Sequence, residues 1–288
     1  MYIYRCKILL FVAVVFFSNR LFSQNVSYDN SNLKLQEDSL RIYFDSLTKQ
    51  KDDSLKFQLN DKILEIFQRI LSNNESFDYV FTLRHIGILK SPDNVFKIYN
   101  WNVSLNDGTY EYFGFIQYFY KKSKQFLIYK LYDKSDEIAS PETAQLTNLN
   151  WFGALYYEII LKKSGKQNYY TLLAWDGNND FSKKKLIEVL YFSNKGEPCF
   201  GKNIFIINKE KKTRLIHEYS YLTTMTLRYN DNLKMIIFDH LEPSKPSLKG
   251  QFQYYGTNFT YDGLYYKKGK WIFKQNIDVR NPGKNKKR

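Results

Sequence analysis

Cysteine is nearly missing from this sequence, which has two in 288 residues, Cys6 and Cys199. Histidine, methionine and proline are almost as scarce, at three, three and six. The histidines are His85, His217 and His240, and none has a metal-motif partner at the required spacing. "HEYSY" (217–221) opens like the zinc-protease pattern, but Tyr221 stands where the second histidine ligand would be. No P-loop, no G-x-G-x-x-G and no G-x-S-x-G elbow occurs, which removes the commonest phosphate, dinucleotide and serine-nucleophile motifs. Long apolar runs are also wanting. The longest, "ILLFVAVVFF" (8–17), would rise only about 15 Å as a helix against a hydrocarbon core of roughly 30 Å.

That run has another reading. Arg5 and Lys7 precede it and the polar stretch "SNRLFSQ" follows, the layout of a secretory signal peptide over residues 1–23, with cleavage at Ser23–Gln24. Arg20 beside the cut keeps an uncleaved anchor as the alternative. Export leaves Cys199 as the sole cysteine, so no internal disulfide can form and burial must hold the fold. Cys199, beside Pro198, reads as a small packed or turn-adjacent residue rather than a reactive thiol.

What the chain has in excess is positive charge and aromatic rings. The formal charge is +14, and +11 once Arg5, Lys7 and Arg20 are removed. Behind a signal peptide the available polyanions are lipid headgroups, envelope polysaccharides and other proteins, not nucleic acid. Lysine pairs at 121–122, 162–163, 211–212 and 267–268 fall at expected strand ends, where they also protect edges. Aromatic residues make up 18% of the chain, and most of them are expected to pack rather than to form a sugar-binding platform.

The periodicity divides the chain. Leu40, Tyr43, Phe44 and Leu47 form one 3.6-residue stripe, and Leu59, Ile63, Ile66, Phe67, Ile70 and Leu71 a second. With "TKQKDD" as the turn, residues 24–78 predict a helical hairpin, its second helix beginning at Asp52 or Asp53. From 79 to 280 about a dozen apolar, aromatic runs alternate with turn chemistry such as "SPDN", "LNDG" and "KKGK". The expected fold is mainly β (α+β): the hairpin packed on a large antiparallel meander, closed as a barrel, stacked as a sandwich or arranged as a propeller. "YEYFGFIQYFY" (110–120) is apolar on both faces, with Tyr110, Tyr112, Ile116, Tyr118 and Tyr120 on one and Phe113, Phe115 and Phe119 on the other. It must therefore be covered from both sides, by the helices or by a second sheet. "GKNKKR" (283–288), within the 281–288 tail, reads as disordered and basic.

Two longer connections, 133–150 and 240–261, interrupt the meander and are the expected functional surface. The binding candidates are Trp151, Tyr254 and Tyr255 near them, with Trp101 and Trp175 as further rings. In "DGNND", Asp176, Asn178 and Asp180 recur as a calcium loop begins, but Phe181 and Ile187 occupy the positions of the required Gly and Glu. The loop reads mainly as a hairpin corner with Gly177 at positive φ, and secondarily as a non-EF Ca2+ site. No other cofactor is implied. Asp176, Asp180, Glu188, Asp239 and Glu242 are acids whose convergence in space would make a glycosidase pair.

Through "YYTLLAWDGNND", "KSPDNVFKIYNWNV" and "MIIFDHLEPSKPSLKGQFQYYGTNFTYDGLYYKKGKWIF" the chain resembles a group of uncharacterised secreted β-rich proteins of Bacteroidetes bacteria. The resemblance covers about two thirds of the chain, from residue 90 to Pro282, and implies an exported envelope protein in the periplasm, on the outer membrane or outside the cell. It carries no catalytic residue with it. The resulting expectation is a non-enzymatic binding module for an envelope protein or glycan, with an anionic membrane surface as a further partner. A glycan-acting hydrolase and a structural subunit of an envelope complex are the alternatives.

Overall fold

A computed structural model of the chain describes residues 31–279. The signal-peptide and basic-tail expectations fall outside the described residues. Two helices open the fold, α1 (Ser31–Lys49) and α2 (Asp53–Ser72). The second starts where the acids place it, with the Asp52 carboxylate accepting the Leu55 N–H at 2.9 Å as an N-cap. Leu40, Phe44 and Leu47 of α1 and Ile63, Ile66, Phe67, Ile70 and Leu71 of α2 are buried, so both apolar stripes face inward.

Sixteen strands follow among the described residues. The first sheet is a plain meander, β1 (Gly87–Lys90), β2 (Phe96–Ser104), β3 (Tyr110–Tyr120) and β4 (Gln125–Tyr132). The middle sheet contains β5 (Leu146–Thr147), β6 (Leu155–Ser164), β7 (Gln167–Asp176), β8 (Ser182–Phe192) and β9 (Pro198–Phe200), with β12 (Arg214–Ser220) added on β8. The outer sheet contains β10 (Phe205–Ile207), β11 (Glu210–Lys212), β13 (Leu227–Asn230), β14 (Met235–Pro243), β15 (Tyr255–Lys267) and β16 (Lys270–Lys274). It runs β11-β10-β16-β15-β14-β13. Pairing is antiparallel except between β10 and β16, which makes the outer sheet mixed. Among the described residues no sheet closes into a barrel; the stack is sandwich-like.

Three apolar cores glue four layers together. Helices and first sheet share Phe44, Phe67, Tyr99, Trp101 and Phe115, and Phe67 stacks on Trp101 at 5.3 Å. First and middle sheets share Ile98, Tyr112, Ile116, Trp151, Tyr156, Leu172 and Leu190. Middle and outer sheets share Leu173, Ile187, Leu215, Phe238, Leu264 and Trp271. Strand β3 is thus covered on both faces, its Phe113 and Phe115 by the helices and its Tyr112 and Ile116 by the middle sheet. The middle sheet is buried on both faces as well, so β8 reads as a nearly unbroken apolar run from Leu186 to Leu190, with Glu188 as its one charge.

That charge is matched. Glu188 and Arg214, opposite each other on β8 and β12, are 1% and 0% exposed at their side chains. Arg214 Nε donates to Glu188 at 2.8 Å, and Nη2 lies 2.6 Å from the same carboxylate but off the hydrogen-bonding axis. Tyr156 OH donates to the other Glu188 oxygen, Trp151 Nε1 donates to Tyr156 OH at 2.6 Å, and Arg214 Nη1 donates to the Pro141 carbonyl. A buried ion pair survives only with such additional partners.

The connection after β14 is shorter than the spacing predicts. Glu242 and Pro243 still pair, with Gly256 and Tyr255, so the irregular part is 244–254.

Candidate functional site

The five aromatic candidates separate by burial. Trp101 and Trp151 are at most 1% exposed and present no face to a ligand. Trp101 is clamped between Phe44 and Phe67 with its Nε1 donating to Asn60, and Trp151 belongs to the Glu188 network. They are core residues because each indole N–H has an internal acceptor. Tyr254 is exposed on a short 3-10 turn, and Tyr255 OH accepts the Gly250 N–H at 3.0 Å. Trp175 alone lines a cleft.

That cleft, of about 610 Å3, opens where the helices, β2 and the ends of β6 and β7 meet. Tyr110, Tyr157 and Trp175 supply rings, and Asn102, His85 and Lys56 supply polar groups. Tyr110 and Trp175 meet edge to face, with centroids 5.9 Å apart and planes at 75°, so they form a corner and not a flat platform. Tyr110 also lines a second cleft of about 640 Å3. There the walls are acidic: Asp107, Glu111, Asp133, Asp136, Glu137 and Asp176 face two ammonium groups, Lys134 and Lys184. We refer to the two lobes together as the corner cleft.

The acids of the second lobe are not equivalent. Asp133 accepts from the Tyr112, Ser135 and Gly153 N–H groups and from Ser135 Oγ, so it ties a loop. Asp176 accepts from Tyr112 OH at 2.8 Å and from the Asn178 N–H at 2.7 Å, and its second oxygen lies 3.7 Å from Lys184. Burial pushes both carboxyls up, against these donors. Burial also pushes Glu111 up, helped by Asp133 and Asp136. Glu111, unlike the other two, is not held by a local donor network.

The "DGNND" segment forms the corner between β7 and β8, and it does so by turn chemistry. Asn179 Oδ1 accepts from the Phe181 and Ser182 N–H groups at 2.8 and 3.0 Å. The positive φ falls on Asn178, at 55°, and not on Gly177. Gly177 is required for another reason: a Cβ there would sit 2.4 Å from the Tyr110 ring. Lys184 Nζ donates to Asn178 Oδ1 at 2.6 Å, so an ammonium already stands among the oxygens that a calcium ion would need. Asp180 points elsewhere, its carboxyl lying over Gly108. Among the described residues no three His, Cys, Asp or Glu groups are placed to hold a metal. Of the five glycosidase candidates, Asp176 and Asp180 share a neighbourhood, both acting on the Tyr110 hydroxyl, while the other three are engaged elsewhere. Glu188 is locked on Arg214, Asp239 accepts the Thr226 N–H at 2.6 Å, and Glu242 takes Asn258 at 3.4 Å.

Sequence reasoning missed Tyr110, Tyr112, Tyr157, Glu111 and Asp133 as parts of the cleft. It also missed a pocket of about 280 Å3 between the middle and outer sheets, which brings His217, His240 and Asp262 together. His240 Nδ1 lies 2.7 Å from Asp262 Oδ2. The Cys199 thiol is pushed up by burial, the opposite of nucleophile activation.

These features define a layered β protein with a ring-and-carboxylate cleft at one end. No family model matches the chain, nor does any curated protein or solved structure.

Proposed function

We propose that this is an exported cell-envelope protein that acts as a binding module, and that the corner cleft takes a neutral or amine-bearing glycan. The observation that carries the reading is a local reversal of charge. On a chain of formal charge +14, six carboxylates face two ammonium groups in a lobe that joins, at Tyr110, a lobe lined by rings. Carboxylates and amides accept from sugar hydroxyls, rings pack on the apolar faces of the pyranose, and an acidic wall rejects anionic glycans. The anionic partners that the net charge favours would then meet other faces of the molecule.

Hydrolysis is the second reading, favoured by three carboxyls raised by burial in one lobe. It ranks lower because Asp133 and Asp176, the two other raised acids, already accept from fixed donors, and because Asp136, the further acid acting on Glu111, is exposed to water. A glycan array followed by calorimetry tests both readings. Binding of a neutral oligosaccharide, weakened at least tenfold by Trp175→Ala and without release of reducing ends, supports the module. Turnover that Glu111→Gln abolishes supports the hydrolase. Silence across neutral and amino-sugar glycans overturns both.

A further inference from the structure

The pocket between the middle and outer sheets shares no lining residue with the corner cleft. Strand β12 contributes Leu215 and His217, β14 Phe238 and His240, β15 Asp262 and β16 Phe273. Two of the chain's three histidines therefore line one open pocket of about 280 Å3.

The backbone is irregular where it presents His240. Asp239 pairs with Tyr261 and Leu241 with Thr257, so His240 alone spans Asn258, Phe259 and Thr260 on β15. This is a β-bulge, and such bulges re-aim a side chain. Its crest is Phe259, a non-glycine residue at φ 63° that is 90% exposed. Asn258 Oδ1 braces the bulge by accepting from Thr260 N–H and Oγ at 3.1 and 2.7 Å. A bulky side chain held in the left-handed region costs about 1–2 kcal/mol, and such strain gathers at functional positions.

The chemistry of the two rings is complementary. Asp262 is 3% exposed, and its other oxygen accepts the Asn276 N–H at 3.2 Å. A carboxylate only accepts, so Nδ1 carries the hydrogen of this bond, and in the uncharged ring that tautomer leaves the lone pair on Nε2. His217 packs on Phe238 with ring centroids 4.5 Å apart. Its Nε2 is sealed from solvent without a hydrogen-bond partner, although part of the residue reaches water. An unsatisfied buried nitrogen in a native structure calls for a missing partner. Burial also holds His217 neutral, its pKa pushed down to about 4.

The walls restrict what that partner can be. Ile207, Leu215, Leu241, Phe238 and Phe273 are apolar. Glu142, Asp239 and Asp262 line the pocket too, and its one ammonium, Lys212, is taken by Glu142 at 2.6 Å. An anion is disfavoured there. A hydroxyl can donate to His240 Nε2 and accept from His217 when that ring carries its hydrogen on Nε2; a carboxylate, which only accepts, and an ammonium, which only donates, cannot do both. We propose that this pocket binds a small, uncharged ring compound bearing a hydroxyl group, a phenol or a cyclic alcohol, with His240 as proton acceptor and Asp262 as the positioning residue.

Phenol is the probe, and anisole, its methyl ether, is the control that lacks the donated proton. Titration of the full chain, followed by the imidazole 15N signals, should shift His240 and His217 in the phenol series. Anisole should bind about tenfold weaker, the worth of one buried hydrogen bond. His240→Leu, which removes the acceptor, should abolish the preference for phenol over anisole while the unrelated His85 signal marks an intact fold. Equal affinity for phenol and anisole, unmoved His217 and His240 signals, or an undiminished preference in His240→Leu would each overturn the assignment.

Discussion

The corner cleft and the histidine pocket both draw on the β8–β12 region of the middle sheet, yet they handle buried titratable groups in opposite ways. At the corner, burial raises acids: Glu111, Asp133 and Asp176 all hold their protons more tightly than free carboxyls. In the pocket, burial lowers a base, and His217 stays neutral to about pH 4. One cause, loss of water around the charged form, thus gives opposite pKa directions because the neutral form is the acid in one place and the base in the other. The corner remains open to solvent and offers many acceptors to a polyhydroxyl ligand. The pocket has less than half the volume of either lobe and sets its two imidazoles among apolar walls, which suits a single hydroxyl on an apolar ring.

The largest test breaks the wall behind both sites. Arg214→Met leaves Glu188 buried without its cation, and removing one partner of such a pair costs about 3–5 kcal/mol. Denaturant unfolding should show that loss. Ligand titrations of the variant should then weaken at the corner and the pocket together. Loss at one site alone would show that the two regions do not share the scaffold.

Next comes the pH dependence. The folded pKa of His217, about 4, lies below the unfolded value of about 6.5. The unfolded chain therefore binds more protons between these values, and stability is lost as the pH falls through that window. The expected contribution is about 2–3 kcal/mol at roughly 1.4 kcal/mol per pH unit, after discounting for the exposed part of the residue. Asp262 opposes the shift and Lys212 assists it; His240, Glu142, Asp239 and Lys185, the cross-strand partner of His217, are the other ionisable groups around it. The raised corner acids act with the other sign, stabilising the fold at acid pH and losing that contribution as the pH rises. Unfolding curves from pH 4 to 7 for wild type and His217→Phe separate the two, since the variant should lose less stability on acidification. Parallel curves would remove His217 from the comparison.

Gly177→Ala acts on the corner alone. The new methyl meets the Tyr110 ring at 2.4 Å, but a ring can turn, so about 1 kcal/mol is expected, the low end of overpacking costs. Because Tyr110 belongs to both lobes, glycan affinity should fall more than stability does, while the phenol titration of the pocket stays unchanged.

How far the sequence speaks for each region follows from how far apart its residues lie. Helix stripes, the Asp52 cap and the two-faced pattern of β3 are local, and each is visible in a window of a dozen residues. The "DGNND" corner was legible as a turn because Asn179 and Asp176 bond to their own neighbours. Its position beside Tyr110, Tyr112 and Asp133 was not, since those residues arrive from the first sheet. Nor does a tryptophan announce its burial: Trp101 and Trp151 read like Trp175 until Asn60 and Tyr156 are seen to accept their N–H groups. The histidine pocket was the least legible. Asp262 faces Phe238 across the β14–β15 pair and so shares a face with His240, a register fixed between strands and invisible in either one alone. The available signal was the scarcity of histidine itself.

The smallest effect is the most informative about the bulge on β15. Phe259→Gly relieves about 1–2 kcal/mol of left-handed strain but returns about 0.5–1 kcal/mol through the freer unfolded chain. The ring is 90% exposed, so little packing is lost, and the net expectation is a gain of about half a kcal/mol in denaturant unfolding. The 15N signals of His240 give the second readout. If they are unchanged, Asn258 and the register hold the dyad and Phe259 is strained for another purpose, such as contact with a partner. If the gain in stability comes with a loosened His240–Asp262 bond, the strain at Phe259 is what keeps His240 turned into the pocket, and the histidine site differs from the corner in being held by backbone tension rather than by side-chain bonds.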